Sequence, residues 1–178
     1  MKPSLILALV AAPMLSLSQG VHAQSASDGT SGTMSSDMAG ANTGTETGAM
    51  SKPADMVMTK TPGCGCCDAW ADLARAQGHK VEVIETYDYA EMKSEHGVPN
   101  ALASCHSVKV GDYVVEGHVP LEAVARMLRD KPAISGIAVP GMPAGSPGMG
   151  DDPKAQFDVM AFGGEAGDGE VYYKAGVE

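Results

Sequence analysis

From Met56 to Ile84 the chain reads MVMTKTPGCGCCDAWADLARAQGHKVEVI, and this stretch decides the fold. Met56 to Thr59 is a short apolar-rich run that predicts a strand, broken by Thr61-Pro62-Gly63. Asp68 to Gln77 places Trp70, Leu73 and Ala74 at helical spacing, and Gly78 supplies the stop. Lys80 to Thr86 alternates charge with Val81, Val83 and, less strictly, Ile84, which predicts a second strand. Strand, helix and strand in so short a span form a βαβ unit. Cys64, Cys66 and Cys67 fall at its first strand-to-helix turn.

Downstream, Tyr89 to His96 predicts a short helix that ends before Gly97-Val98-Pro99. Ser107 to Val110 and Tyr113 to Glu116 read as two strands joined by Gly111-Asp112, a tight hairpin signal. Pro120 to Asp130 gathers Leu121, Val124, Met127 and Leu128 on one helical face, and Pro132 stops it. The order β-α-β-α-β-β-α is that of a thioredoxin-like α/β domain. From about residue 132 a C-terminal extension follows. Ile137 to Gly150, rich in Gly and Pro, predicts a loop, while Phe157 to Phe162 and Glu170 to Lys174 predict a final hairpin across Gly163 to Gly169.

Upstream, residues 1–23 read as a secretory signal. Lys2 is the positive start, Leu5 to Leu17 the apolar stretch, and Val21-His22-Ala23 the small-residue cleavage site. A membrane anchor fits less well, because Pro13 and serines interrupt a run short of the roughly 20 residues that span a bilayer. Residues 24–54 are mostly Ser, Gly, Thr, Ala and Met, a composition that cannot bury enough apolar area to offset chain entropy, so they predict a disordered tether. Its Met34, Met38 and Met50 are incidental or loose thioether contacts. The domain is then 55–178, a monomer in expectation. The chain has 178 residues, with 12 Lys+Arg against 22 Asp+Glu for a net charge of −10. That balance argues against nucleic acid as a partner, since phosphate binding needs a basic footprint.

Cys64-Gly65-Cys66-Cys67 holds a C-x-C and a C-x-x-C at once. Cys64 and Cys67 alone suit a dithiol oxidoreductase, because a helix N-terminus stabilises a thiolate. Such an enzyme does not need Cys66, and three sulfurs on one turn are too crowded for independent structural bridges. They suit a soft metal. A fourth sulfur comes from Cys105 in Ala103-Ser104-Cys105-His106, just before the third strand, where a thioredoxin-like chain lies against the C-x-x-C turn. Further candidate ligands are His106, His118, Met142 and Met149, whereas His79 and His96 read as packing or surface residues. Thiolates and thioethers favour copper(I). Zinc lacks its second C-x-x-C pair, and iron–sulfur clusters are disfavoured in an exported protein. Two structural disulfides remain the plainest alternative for four cysteines outside the cytosol.

The segments Thr61 to Cys67, Leu102 to His106, Glu116-Gly117-His118-Val119-Pro120 and Gly141-Met142-Pro143 through Gly148-Met149 together resemble the periplasmic copper-resistance proteins of the CopG type. The resemblance covers about Asp55 to Phe162. It implies a thioredoxin-like domain with a C-terminal extension, a copper–thiolate site and a part in copper tolerance. It further implies Cys64, Cys66, Cys67 and Cys105 as copper ligands, with Met142, Met149 and His118 completing the set and His106 least certain. Interconversion of copper(I) and copper(II), or delivery to copper export machinery, is the implied activity. The rival is a thiol–disulfide oxidoreductase working through Cys64 and Cys67.

Overall fold

A computed structural model describes residues 52–176. The expected signal and all but the end of the expected tether lie outside the described residues. Strand β1 (Asp55–Lys60) leads through helix α1 (Gly65–Ala76) to β2 (Lys80–Glu85). Helix α2 (Tyr89–Glu95) and a 3-10 turn at Asn100–Leu102 precede the hairpin of β3 (His106–Val110) and β4 (Tyr113–Glu116). Helix α3 (Leu121–Asp130) then leads to β5 (Gly136–Ala138), β6 (Phe157–Phe162) and β7 (Glu170–Ala175). The seven strands form one mixed sheet in the order β2-β1-β3-β4-β5-β6-β7.

Three differences from the sequence expectation matter. Helix α1 begins at Gly65 rather than Asp68, and its first intrahelical bond runs from Asp68 N–H to Cys64 O at 3.2 Å. Cys64 is therefore the N-cap residue, with Cys66 and Cys67 in the first turn. The Gly/Pro-rich stretch does not begin as a loop, because Gly136–Ala138 is a fully buried strand parallel to β4. Three residues are too few to show a period of two. As a result the C-terminal hairpin is not an appendage, since β6 pairs with β5 and continues the same sheet.

The core lies between the sheet and its helices. Met56, Met58, Val108, Val115 and Ile137 from the strands meet Trp70, Ala71 and Ala74 of α1 and Val124 and Met127 of α3. Register places the working end of the sheet. β1 pairs parallel with β2 and antiparallel with β3, setting Lys60 opposite His106, and the β3–β4 register sets Ser107 opposite Glu116. The cysteine turn after β1, the start of β3, the end of β4 and the chain leaving β5 thus converge at one end of the central strands.

At the opposite end, the buried ring of His79 fastens the start of β1. Ala54 N–H donates to its Nδ1 at 3.1 Å, and Lys80 N–H donates to Ala54 O at 3.1 Å. Burial lowers the His79 pKa below its ordinary 6.5. A proton on Nδ1 would also remove the acceptor that Ala54 uses. The unfolded chain therefore binds this proton at a higher pH than the folded one, and stability falls as pH drops from about 6.5 towards the folded-state pKa. Replacing His79 with Gln should flatten the part of this slope that His79 contributes in urea unfolding at pH 7.5 and pH 5.5. A slope identical to that of the parent protein would contradict the assignment.

Candidate metal centre

The cysteine turn is built by a short sequence logic. Pro62-Gly63 ends the chain run from β1, and α1 begins at once, with Cys64 at its N-cap and Cys66 and Cys67 in its first turn. Lys60, almost fully buried at the end of β1, reaches Asp68 in the first turn of α1 at 3.2 Å and Glu85 of β2 at 2.8 Å. These contacts, Glu85 foremost, raise the Lys60 pKa. They tie the helix start to the two parallel strands.

Cys64 and Cys67 form a disulfide with Cα atoms 5.3 Å apart, and Cys66 and Cys105 are free thiols. The Cys64 and Cys66 sulfurs lie 3.6 Å apart, and Cys67 Sγ lies 3.8 Å from the Cys105 carbonyl oxygen. All four sulfurs fall within 4.8 Å of one another. Two independent structural disulfides, the plainest alternative, are absent among the described residues. Cys64, Cys66 and Cys105 are half-buried residues, while Cys67 is fully buried.

A second donor group shares Cys105. Its sulfur lies 3.3 Å from His106 Nδ1 and 2.9 Å from His118 Nε2, and the three ligand atoms fall within 4.8 Å of one another. His118 Nδ1 donates to Pro147 O at 2.7 Å, which leaves Nε2 with its lone pair towards the sulfur. A partner on the far nitrogen that fixes the tautomer is the usual support of a metal-binding imidazole. Both rings are fully buried. Burial lowers the His118 pKa, and burial with His118 and Lys93 nearby lowers that of His106 to about 3, so both rings are neutral. His106 Nε2 is buried with no hydrogen-bond partner. Burial, then the neighbouring Cys66, pushes the Cys105 thiol up to about 11. An incoming soft cation must displace that proton, and the neutral imidazoles stand ready to ligate.

The loop after β5 covers this end. Ser104 Oγ donates to Gly141 O, Gly141 N–H donates to Ala103 O at 3.3 Å, and Pro147 accepts from His118. Gly148 packs so closely on α1 that a Cβ there would sit 2.6 Å from Cys66 O and 3.0 Å from Trp70 N. Met149 is partly buried beside this contact, while Met142 is 55% exposed directly after Gly141. Of the residues expected at the site, Cys64, Cys66, Cys67, Cys105, His106 and His118 come together through side-chain donor atoms. Met142 and Met149 are carried on the covering loop. His79 and His96 lie elsewhere, as packing residues do: His79 holds β1, and His96 ends α2.

Sequence reasoning missed the polar layer beneath Cys105. Lys93 and Glu116 are buried and paired at 2.6 Å, and Glu116 also accepts from Ser104 N–H and Ser107 O–H. The only signal was a lysine on the buried side of α2 and a glutamate ending a Val-rich strand, each ordinary by itself.

The family model described as a protein of unknown function, DUF411, matches residues 102–149. That span holds Cys105, His106, His118, Met142 and Met149. No curated protein matches the chain. Two solved structures of a copper resistance protein, copG form 1 and form 2, are similar to it at 33% and 34% identity, with TM-scores of 0.63 and 0.64. Each match covers 69% of this chain and 98% of the other.

The Gly148 contact generates a test. Gly148→Ala adds a methyl that must push against backbone at a φ of +85°, so the loop has to lift from α1. The variant should lose about 1–3 kcal/mol of stability by urea unfolding and show faster alkylation of Cys66. Unchanged stability together with unchanged Cys66 reactivity would contradict the covering role of the loop.

Proposed function

Because the chain belongs to the CopG family of copper resistance proteins, we propose that it takes up copper(I) on Cys64, Cys66, Cys67 and Cys105, with His118, His106, Met142 and Met149 as completing contacts. One observation carries the reading: four sulfurs from two distant segments of chain lie within 4.8 Å of one another. Thiolates are soft donors, and a compact set of them can bridge several soft ions.

Redox chemistry at the same sulfurs supports the interconversion of copper(I) and copper(II). Reducing the Cys64–Cys67 disulfide takes two protons and two electrons, which two copper(I) ions would supply on oxidation to copper(II), and frees two thiols. Its re-formation returns two electrons, enough to reduce two copper(II) ions to copper(I), and releases two protons. A reduced chain thus offers four sulfurs and an oxidised chain only Cys66 and Cys105 beside the histidines. We place this activity in a thioredoxin-like domain spanning 55–178, exported to the periplasm after loss of residues 1–23 and acting beside copper carriers or exporters. The parallel β1–α1–β2 unit followed by β3, β4 and α3 supports that fold reading.

The disulfide favours a second reading, a thiol–disulfide oxidoreductase with Cys64 attacking and Cys67 resolving. The two separate at Cys66, which only the copper site requires. Reduced protein titrated anaerobically with copper(I) should bind at least one ion. Cys66→Ser should weaken that binding by more than the roughly 10–100-fold typical of losing a supporting residue behind a ligand. A copper stoichiometry near zero, or a preference for zinc, would contradict the copper reading. Metal-free reduction of a protein disulfide that survives Cys66→Ser would instead favour the oxidoreductase.

A further inference from the structure

The segment that carries Cys105 is held by side chains rather than by the sheet. The β1–β3 ladder begins at His106, opposite Lys60, and the β3–β4 register begins at Ser107, opposite Glu116. Ala103, Ser104 and Cys105 precede both, so their backbone groups need other partners. Ala103 O accepts from Gly141 N–H at 3.3 Å. Ser104 N–H donates to Glu116 Oε1 at 2.5 Å, and the Ser104 hydroxyl lies 3.9 Å from Cys105 Sγ while donating to Gly141 O.

Glu116 is the hub of this arrangement. Its Oε1 accepts from Ser104 N–H and from Lys93 Nζ at 2.6 Å, and its Oε2 accepts from the Ser107 hydroxyl. Lys93 Nζ also donates to Ser107 Oγ at 3.0 Å and sits 4.7 Å from the centre of the Tyr89 ring. One carboxylate, with no exposed surface, therefore joins α2, the approach to β3 and the end of β4 directly behind Cys105. Gly117 completes the fit, because a Cβ there would collide with the Ser104 side chain. A buried ion pair is weak ground for stability, since apolar side chains of similar size often serve as well. Its placement here points to geometry instead.

We propose that Glu116 and Lys93 are positioning residues that fix the Cys105 sulfur against His118 and the other three sulfurs. The proposal rests on the reading of Cys105 as a copper ligand, and its test separates the two. In the disulfide form, Cys66 and Cys105 are the free thiols, so alkylation mapped by mass spectrometry reports Cys105 with Cys66 as internal reference. Replacing both charges (Lys93→Met with Glu116→Met) also removes the acceptor of Ser104 N–H and Ser107 O–H, so the urea midpoint should fall, and alkylation and copper(I) binding are read on the variant where urea unfolding shows it folded. The same variant should alkylate severalfold faster at Cys105 relative to Cys66, and the reduced form should bind copper(I) about tenfold more weakly, as loss of a supporting partner does. A folded double variant with the parent's Cys105 reactivity and copper(I) affinity would overturn the proposal. Should the double variant fail to fold, Glu116→Gln gives the same two readings, and parental values for both overturn it equally. If the parent protein takes up no copper(I), the copper function fails, while faster Cys105 alkylation in the variants still upholds the positioning role.

Discussion

The indole of Trp70 holds the two halves of the site together. Its Nε1–H donates to Val119 O at 2.9 Å in a fully buried setting, joining the helix that carries Cys66 and Cys67 to the turn that carries His118. The His106 ring lies 5.4 Å from the same indole and 5.1 Å from the His118 ring, edge to face. An unpaired indole N–H would be costly there, so the bond fixes the distance between two segments about fifty residues apart in sequence. Cys105 lies between the two, its carbonyl oxygen 3.8 Å from Cys67 Sγ and its sulfur 2.9 Å from His118 Nε2. Trp70, His106 and His118 are all fully buried. The approach to Cys64, Cys66 and Cys105 then lies on the outer side, where these residues are partly accessible.

Much of this was legible in the sequence, for physical reasons. Strong punctuation by Pro62-Gly63, Gly78, Gly111-Asp112 and Pro132 separated elements whose periodicity was clear, so β1, α1, β2, the β3–β4 hairpin and α3 were found close to their bounds. The donor residues were found because sulfur and imidazole declare their chemistry by type. The start of α1 was misjudged because Gly65-Cys66-Cys67 carries no helical signal of its own. Only the packing of Trp70 and the N-cap position of Cys64 extend the helix back to Gly65. Strand β5 was missed because three small buried residues among glycines and prolines look like loop, and their strand character comes from pairing with β4 and β6.

The Lys93–Glu116 layer illustrates a different limit. Neither residue is unusual for its element, and nothing links positions 93, 104, 107 and 116 until the sheet register sets Ser107 opposite Glu116. Buried polar networks of this kind belong to tertiary structure alone, and they matter where a ligand must be held outside the hydrogen-bonded ladder. The acidic surface has a looser relation to the site. A net charge of −10 favours the approach of cations. In the proposed copper site, selection among them would fall to the sulfurs, whose softness discriminates where charge does not.

The proposed copper site is one soft-metal centre assembled from the α1 turn and the approach to β3. X-ray absorption at the copper edge on the reduced, copper(I)-loaded protein tests it most directly. The expected first shell is dominated by sulfur, with copper–copper scattering from bridging thiolates, and it loses sulfur when Cys105 is replaced by Ser. A first shell of nitrogen and oxygen, or a sulfur shell indifferent to Cys105, would contradict it.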